Sequence, residues 1–95
     1  MLIAGRRSRL KSTKPLTGHA LAGAGAIEAA FCWLTLTQNS QGLLPPHWWD
    51  GHFDPELKSL NVTNPGHRLG RSPRYVVSNS FAFGESNATL LLGGN

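Results

Sequence analysis

Apolar and polar positions follow a helical rhythm in one part of the chain and a strand-like one in others. Between residues 19 and 38, apolar residues recur at Ala20, Ala24, Ile27, Phe31 and Leu34, a spacing that predicts one helix over 19–38. The opposite face is apolar as well, with Leu21, Gly25, Cys32 and Leu36, and Glu28 is the one charged residue between 20 and 38. A helix without a polar face is a buried helix. Gly18, Gly23 and Gly25 weaken such a helix, by roughly 1 kcal/mol each in an exposed interior. Their presence makes sense if another backbone approaches the first turn closely.

Two later runs read as strands. Residues 74–78 (Arg-Tyr-Val-Val-Ser) hold β-branched and aromatic residues, and 89–92 (Thr-Leu-Leu-Leu) hold consecutive apolar ones. The first pattern predicts a strand, and the second a strand buried on both faces. A shorter strand is expected at 59–63. Residues 39–59 form a long connection punctuated by Gly42, Pro45, Pro46, Gly51 and Pro55 and carrying His47-Trp48-Trp49. Residues 12–18, 64–73 and 79–86 read as loops, and 1–11 as a polar, basic lead-in of poor order. The expected class is α/β, with residues 12–95 as one unit. One helix and two or three strands cannot cover themselves, so the sheet calls for further layers.

Composition narrows the picture. The chain has 95 residues, nine Lys and Arg against five Asp and Glu, and a net charge of +4. Charged residues make up 15 %, against about a quarter in ordinary soluble domains. This excludes a highly charged disordered tail and suggests that much of the surface is meant to be covered. A single cysteine, Cys32, excludes a disulfide framework and a multi-cysteine zinc site. No apolar run is long enough to span a bilayer, and Met1-Leu2-Ile3-Ala4 is too short for a secretory signal. A cytoplasmic setting is therefore expected, without membrane contact. Arg6, Arg7, Arg9 and Lys11 crowd the lead-in, but no aromatic residue interleaves with them as a nucleic-acid platform would require. A solvated terminus is the preferred reading.

Three features could carry chemistry. Lys14 and His19 flank a loop that ends at the expected helix start, where a helix dipole favours neutral imidazole. Such an imidazole can donate a hydrogen bond to a developing oxyanion. Glu28, alone in an apolar helix, needs a partner or a raised pKa, and Lys14 is the nearest cation in sequence. Spacing alone favours a structural Lys–Glu pair with His19 as a capping residue. The loop between the last strands holds Asn79, Phe81 and Phe83, and could gate a pocket with backbone N–H groups as oxyanion donors. A plain hairpin whose aromatics plug the core is the simpler alternative. Cys32, mid-helix among Phe31, Trp33 and Leu34, reads as an inert core thiol. His47, His52 and His67 lack ligand-like spacing, so no metal site is expected.

At two of these places the chain resembles the C-terminal part of β-ketoacyl-acyl-carrier-protein synthases, condensing enzymes of the thiolase fold. The first match is Ser12-Thr13-Lys14-Pro15-Leu16-Thr17-Gly18-His19, continuing through Gly23 to Ala29. The second is Ser78-Asn79-Ser80-Phe81-Ala82-Phe83-Gly84 with Ser86 to Leu90. Together they cover residues 12–93. The wording also resembles the subgroup of aryl-polyene and polyketide-type clusters. The resemblance implies the C-terminal portion of a layered α-β-α-β-α fold, incomplete alone. It implies an acyltransferase of fatty-acid or polyketide synthesis that takes phosphopantetheine thioesters borne on acyl carrier protein and needs no further cofactor.

Residue by residue, His19 resembles the second histidine of a Cys-His-His site, which supports malonyl decarboxylation and stabilises the enolate. Lys14 is similar to the lysine that orders that site, and Glu28 to the buried acid of its polar network. Phe83 resembles the gating phenylalanine, with Asn79 and Phe81 in the same loop. The matches shift the preference toward function for Lys14, His19 and Phe83. The family's nucleophilic cysteine and first catalytic histidine lie upstream of the matched stretch, and Cys32 is not that cysteine. Residues 1–11 do not resemble the strand that leads into the lysine motif. Glu85 stands where the family has a glycine, which puts the loop geometry in question. Ala22, with Gly23 beside it, is a milder departure.

The expectations are therefore a condensing-enzyme C-terminal segment, inactive without the nucleophile, from a truncated or split synthase. A non-catalytic interaction module that pairs with another thiolase-fold chain or a carrier protein is the alternative. A small nucleic-acid binder is a third reading, resting on residues 6–11 alone.

Overall fold

The computed structural model describes residues 2–3, 9–58, 60–84 and 86–94. Its organising feature is a hairpin of two seven-residue strands. In chain order the elements are β1 (Leu2–Ile3), β2 (Arg9–Leu10), α1 (Lys14–Thr17), a 3-10 turn (Leu21–Gly23), α2 (Ala24–Leu36), β3 (Tyr75–Phe81) and β4 (Asn87–Gly93). The four strands form one sheet in the order β2-β1-β3-β4, and each neighbouring pair is antiparallel.

The β3–β4 register runs from Tyr75 opposite Gly93 to Phe81 opposite Asn87. Opposed residues share a face, so Val76 with Leu92 and Ser78 with Leu90 look the same way. Val76 and Ser78 are buried there. α2 lies on this face and runs antiparallel to β3. A Cβ on Gly25, near its start, would stand 3.8 Å from the Ser80 hydroxyl, and one on Gly94 would stand 3.4 Å from Leu36 at its end. The Gly94 N–H in turn donates to the Arg74 carbonyl. The core is the meeting of three segments: Cys32 of α2, Val76 of β3 and Leu44 of the long connection, flanked by Leu36, Leu69 and Leu92.

The helix is shorter than the 19–38 expected. Gly18 at φ +77° and Leu21 at φ +49° interrupt the chain before Ala24, and Thr37 takes an extended conformation after Leu36. The Asn39 side chain then closes the end. Its amide N–H group donates to the Thr35 and Leu43 carbonyls, both at 2.9 Å, and its oxygen accepts the Leu43 N–H at 2.8 Å. These bonds satisfy a helix-terminal carbonyl that would otherwise lack a donor.

Burial also departs from expectation. Only Cys32 and Thr35 of α2 are buried, while Ile27, Trp33 and Leu34 are exposed. β4, expected to be covered on both faces, is mostly exposed, with Leu91 at 62 %. The cause is geometric. One helix covers one face of the sheet, and β4 is an edge strand. The first strand extends past Ser78 to Phe81, and the strand expected at 59–63 is reduced to one parallel bridge between Leu10 and Val62. The lead-in, expected to be poorly ordered, contributes β1 and β2. Leu2 and Ile3 pair with Val77 and Val76, and Lys11 is buried. Arg6 and Arg7 lie outside the described residues.

The long connection folds back on itself rather than wandering. Leu44 N–H donates to the His67 carbonyl at 2.9 Å, Leu69 N–H to that of Gly42 at 2.8 Å, and His47 N–H to that of Thr63 at 2.9 Å. The buried Thr63 hydroxyl donates to the Pro45 carbonyl at 2.6 Å. Backbone groups on buried paths must find such partners, and the proline pair leaves carbonyls free to accept.

Candidate functional site

The residues singled out by sequence fall on two neighbouring regions. Lys14 opens α1, a single turn started by Thr13 and Pro15 and ended by Gly18, whose N–H donates back to the Lys14 carbonyl. Its backbone N–H donates to the Ser12 hydroxyl at 3.4 Å. The Lys14 side chain is exposed. His19 follows Gly18 and is exposed as well. It stands ahead of the 3-10 turn, not in the first turn of α2, so the helix dipole does not act on it from the expected place.

A local device fixes the imidazole instead. The Leu21 N–H donates to His19 Nδ1 at 3.2 Å. An Nδ1 that accepts leaves the ring proton on Nε2, so the neutral ring presents a donor on the side away from its own backbone. Leu21 achieves this at φ +49°, a left-handed conformation that is uncommon for leucine. Backbone strain of this kind clusters at functional positions.

The loop residues gather at the same end of the helix–strand pair, because Gly25 at the start of α2 faces Ser80 near the end of β3. Asn79 accepts a hydrogen bond from the Thr89 hydroxyl at 2.9 Å across the hairpin. Phe81 is 79 % exposed and Phe83 fully exposed, so neither plugs the core. Ala82 N–H donates to the Ser86 carbonyl at 2.8 Å, and Gly84 at φ +81° turns the chain. Glu85 lies outside the described residues. No hydrogen bond joins Lys14, His19 and Phe83 to one another among the described residues.

Glu28 has a different companion from the one expected. Among the described residues, the cation seen to couple with it is Lys11, a buried residue of the lead-in. Burial lowers the Lys11 pKa, and the Glu28 carboxylate opposes that shift. Burial also raises the Cys32 thiol, and Glu28, one turn away along α2, adds to the effect. Lys11 and the α2 residues Glu28 and Cys32 are thus electrostatically coupled. No sequence rule links Lys11 to Glu28, since only the fold brings the residue after β2 close enough to α2 to feel that charge.

Cys32 has no exposed surface, and a raised pKa leaves less thiolate at a given pH. Alkylation at pH 8 is therefore expected to be at least about tenfold slower in the native chain than in denaturant. Rapid native labelling, followed by mass spectrometry, would contradict the core role.

A cleft of about 450 Å³ opens beside Lys11, between α1, α2 and residues 43–46. Lys11 and Thr13 line it together with Leu16, Phe31, Leu34 and Pro46. The sequence pattern gave no sign of it beyond the apolar residues that α1 and α2 leave exposed. Among the described residues, no group of three His, Cys, Asp or Glu side chains could hold a metal ion. No helix there is long and apolar enough to cross a membrane.

Comparison with known proteins gives a consistent relationship. Residues 3–48 match the model of the β-ketoacyl synthase C-terminal domain, so the likeness reaches into the lead-in, which had read as unrelated. The chain is 35 % identical over 83 residues to 3-oxoacyl-[acyl-carrier-protein] synthase 1 of Escherichia coli K12, covering 87 % of this chain and 19 % of that protein. It is 35 % identical over 86 residues to synthase 2 of Rhizobium meliloti, covering 90 % and 19 %. With synthase 2 of Mycobacterium bovis it shares 31 % over 91 residues, covering 96 % and 21 %. The chain thus spans about a fifth of the length of these relatives. No solved structure matches it.

Proposed function

This chain corresponds in sequence to the C-terminal part of a β-ketoacyl-acyl-carrier-protein synthase, and on that premise we propose that it serves decarboxylative condensation of acyl and malonyl groups carried on acyl carrier protein. The nucleophile and the first histidine are contributed by the part of the enzyme that the matched stretch does not include. The observation that carries this reading is the Leu21 N–H bonded to His19 Nδ1. It holds the ring in the tautomer whose Nε2–H can donate to an enolate oxygen. When the malonyl carboxylate leaves as carbon dioxide, the electron pair of the broken carbon–carbon bond moves onto the thioester oxygen. A neutral donor placed there in advance stabilises that charge. The enolate carbon then attacks the acyl thioester; the new carbon–carbon bond forms as the acyl carbon–sulfur bond breaks and the nucleophile leaves as its thiolate.

The other residues take supporting roles in this reading. Lys14 orders the site electrostatically, Glu28 belongs to a polar network with Lys11, and the exposed Phe83 closes over the substrate from the loop that Asn79 and Phe81, at the end of β3, lead into. The uncovered apolar residues of α2 and β4 are the seams against the remaining layers of a thiolase-type fold. Ile27, Trp33, Leu34, Leu90 and Leu91 are all exposed, more apolar surface than a free-standing domain of this size usually leaves open. The same surface favours a second reading, a non-catalytic module that pairs with another thiolase-fold chain.

A chimera separates the two readings. This chain replaces the corresponding C-terminal stretch of the E. coli synthase 1. Condensation of acyl- and malonyl-acyl carrier protein by the chimera, with none from the isolated chain, is the expected result. A folded chimera that binds carrier protein but forms no product would favour the module. Turnover by the isolated chain would overturn the dependence on a separate nucleophile.

A further inference from the structure

Two histidines outside the proposed site hold the chain segment that leads into it. The His47 Nδ1 accepts the Ser12 N–H at 3.1 Å. The His67 Nδ1 accepts the Asn64 N–H at 3.2 Å and faces Arg9 Nη1 at 3.3 Å. That same Arg9 nitrogen donates to Asn61 Oδ1 at 3.1 Å. Backbone bonds complete the attachment: Leu10 N–H donates to the Asn61 carbonyl at 2.8 Å and Thr63 N–H to that of Leu10 at 3.1 Å. Both rings are half-buried, and His47 packs against Trp49 with centroids 5.8 Å apart.

Every one of these imidazole contacts uses Nδ1 as the acceptor. We propose that His47 and His67 form a proton-sensitive clamp that fixes the Arg9–Ser12 segment, and with it the start of Ser12-Thr13-Lys14, to the long connection at His47 and to the loop after it at His67. An imidazole that takes a second proton becomes a donor at both nitrogens. The Ser12 and Asn64 N–H groups then face an N–H instead of a lone pair, and Arg9 faces a like charge.

The charged surroundings offer no compensation. Arg9 is the charged group that meets His67, and the neighbouring Arg68 guanidinium is turned to Gln41. Around His47 stand the Ser12 N–H and the Trp49 ring, with Lys11 the preceding residue of the clamped segment. Asp50 lies beside His52 at 3.8 Å. Among the described residues no carboxylate is within ion-pair distance of His47 or His67. The direction follows: the clamp is closed while both Nδ1 atoms are bare and opens when the rings take up a second proton. The inference stands on these contacts and does not depend on the condensing role.

Amide hydrogen exchange on the full chain, isolated or within the chimera, tests it. Protection factors of Ser12 and Asn64, corrected for intrinsic exchange, are expected to fall about tenfold between pH 7.5 and 5.5, the effect of one lost hydrogen bond. Those of Val76 and Leu92 should hold. In the double variant His47→Asn with His67→Asn, the side-chain oxygen accepts near the Nδ1 position without titrating, and the drop should vanish. Protection that is flat with pH in the wild type, or an equal drop in the double variant, would overturn the clamp. If the double variant does not fold, the imidazole ¹⁵N shifts of the wild type decide at pH 7.5. Bare Nδ1 atoms in both rings support the proposal, and protonated ones refute it.

Discussion

His19→Ala in the chimera is expected to slow malonyl decarboxylation by about 10²–10³-fold, the effect of removing one preorganised oxyanion donor. Acylation of the nucleophile should change far less, because it needs no enolate. His19→Gln is the informative companion. Its amide N–H can stand near the place of Nε2–H, so it should recover part of the lost rate if the ring acts as a neutral hydrogen-bond donor. A glutamine variant as slow as the alanine variant would point to proton transfer instead.

Gly42→Ala is expected to be the most damaging small substitution for the fold. Gly42 sits at φ +65°, where a side chain is strained. Its neighbours leave no room: an added Cβ would overlap the Arg71 carbonyl oxygen and stand 2.8 Å from the Leu69 Cβ. The position is also the hinge on which the long connection closes, since the Gly42 carbonyl accepts the Leu69 N–H. Leu44, two residues on, is one of the three apolar residues of the core. A loss of roughly 2–4 kcal/mol is expected, read as a lower urea midpoint. By contrast, Gly51→Ala meets no neighbouring atom within 4 Å, although its φ of +84° is also positive, and should cost about 1 kcal/mol. Equal effects at both positions would show that close approach at Gly42 has no part.

The parts of this structure legible in the sequence are those set by local pattern. The pattern predicts a helix over 19–38 and strands over 74–78 and 89–92, and the structure has Ala24–Leu36, Tyr75–Phe81 and Asn87–Gly93, so the type of each element is legible while the helix start is displaced by five residues. The Ser12–His19 and Ser78–Gly84 motifs named the family because both are long and stand in the right order. Other features depend on contacts between distant residues. The helix start was missed because the break falls at Leu21, a residue type that gives no warning of a left-handed turn. Lys11 was assigned to a loose lead-in because nothing local marks it as the companion of Glu28, seventeen positions away. Burial of α2 and β4 was overestimated for a related reason. Their apolar faces do predict contact, but the described residues supply only one covering layer. His47 and His67 were set aside because they lack metal-ligand spacing, whereas their role in the fold is as acceptors of backbone N–H groups.

The central claim is that this chain supplies the enolate-stabilising part of a condensing site. Its most direct test is carbon dioxide release from malonyl-acyl carrier protein by the chimera, with acylation of the nucleophile measured separately in the same preparation. The account predicts release that depends on His19 and persists when acylation is blocked. A folded chimera that acylates its nucleophile normally, yet releases no carbon dioxide or releases it equally well as His19→Ala, would contradict it.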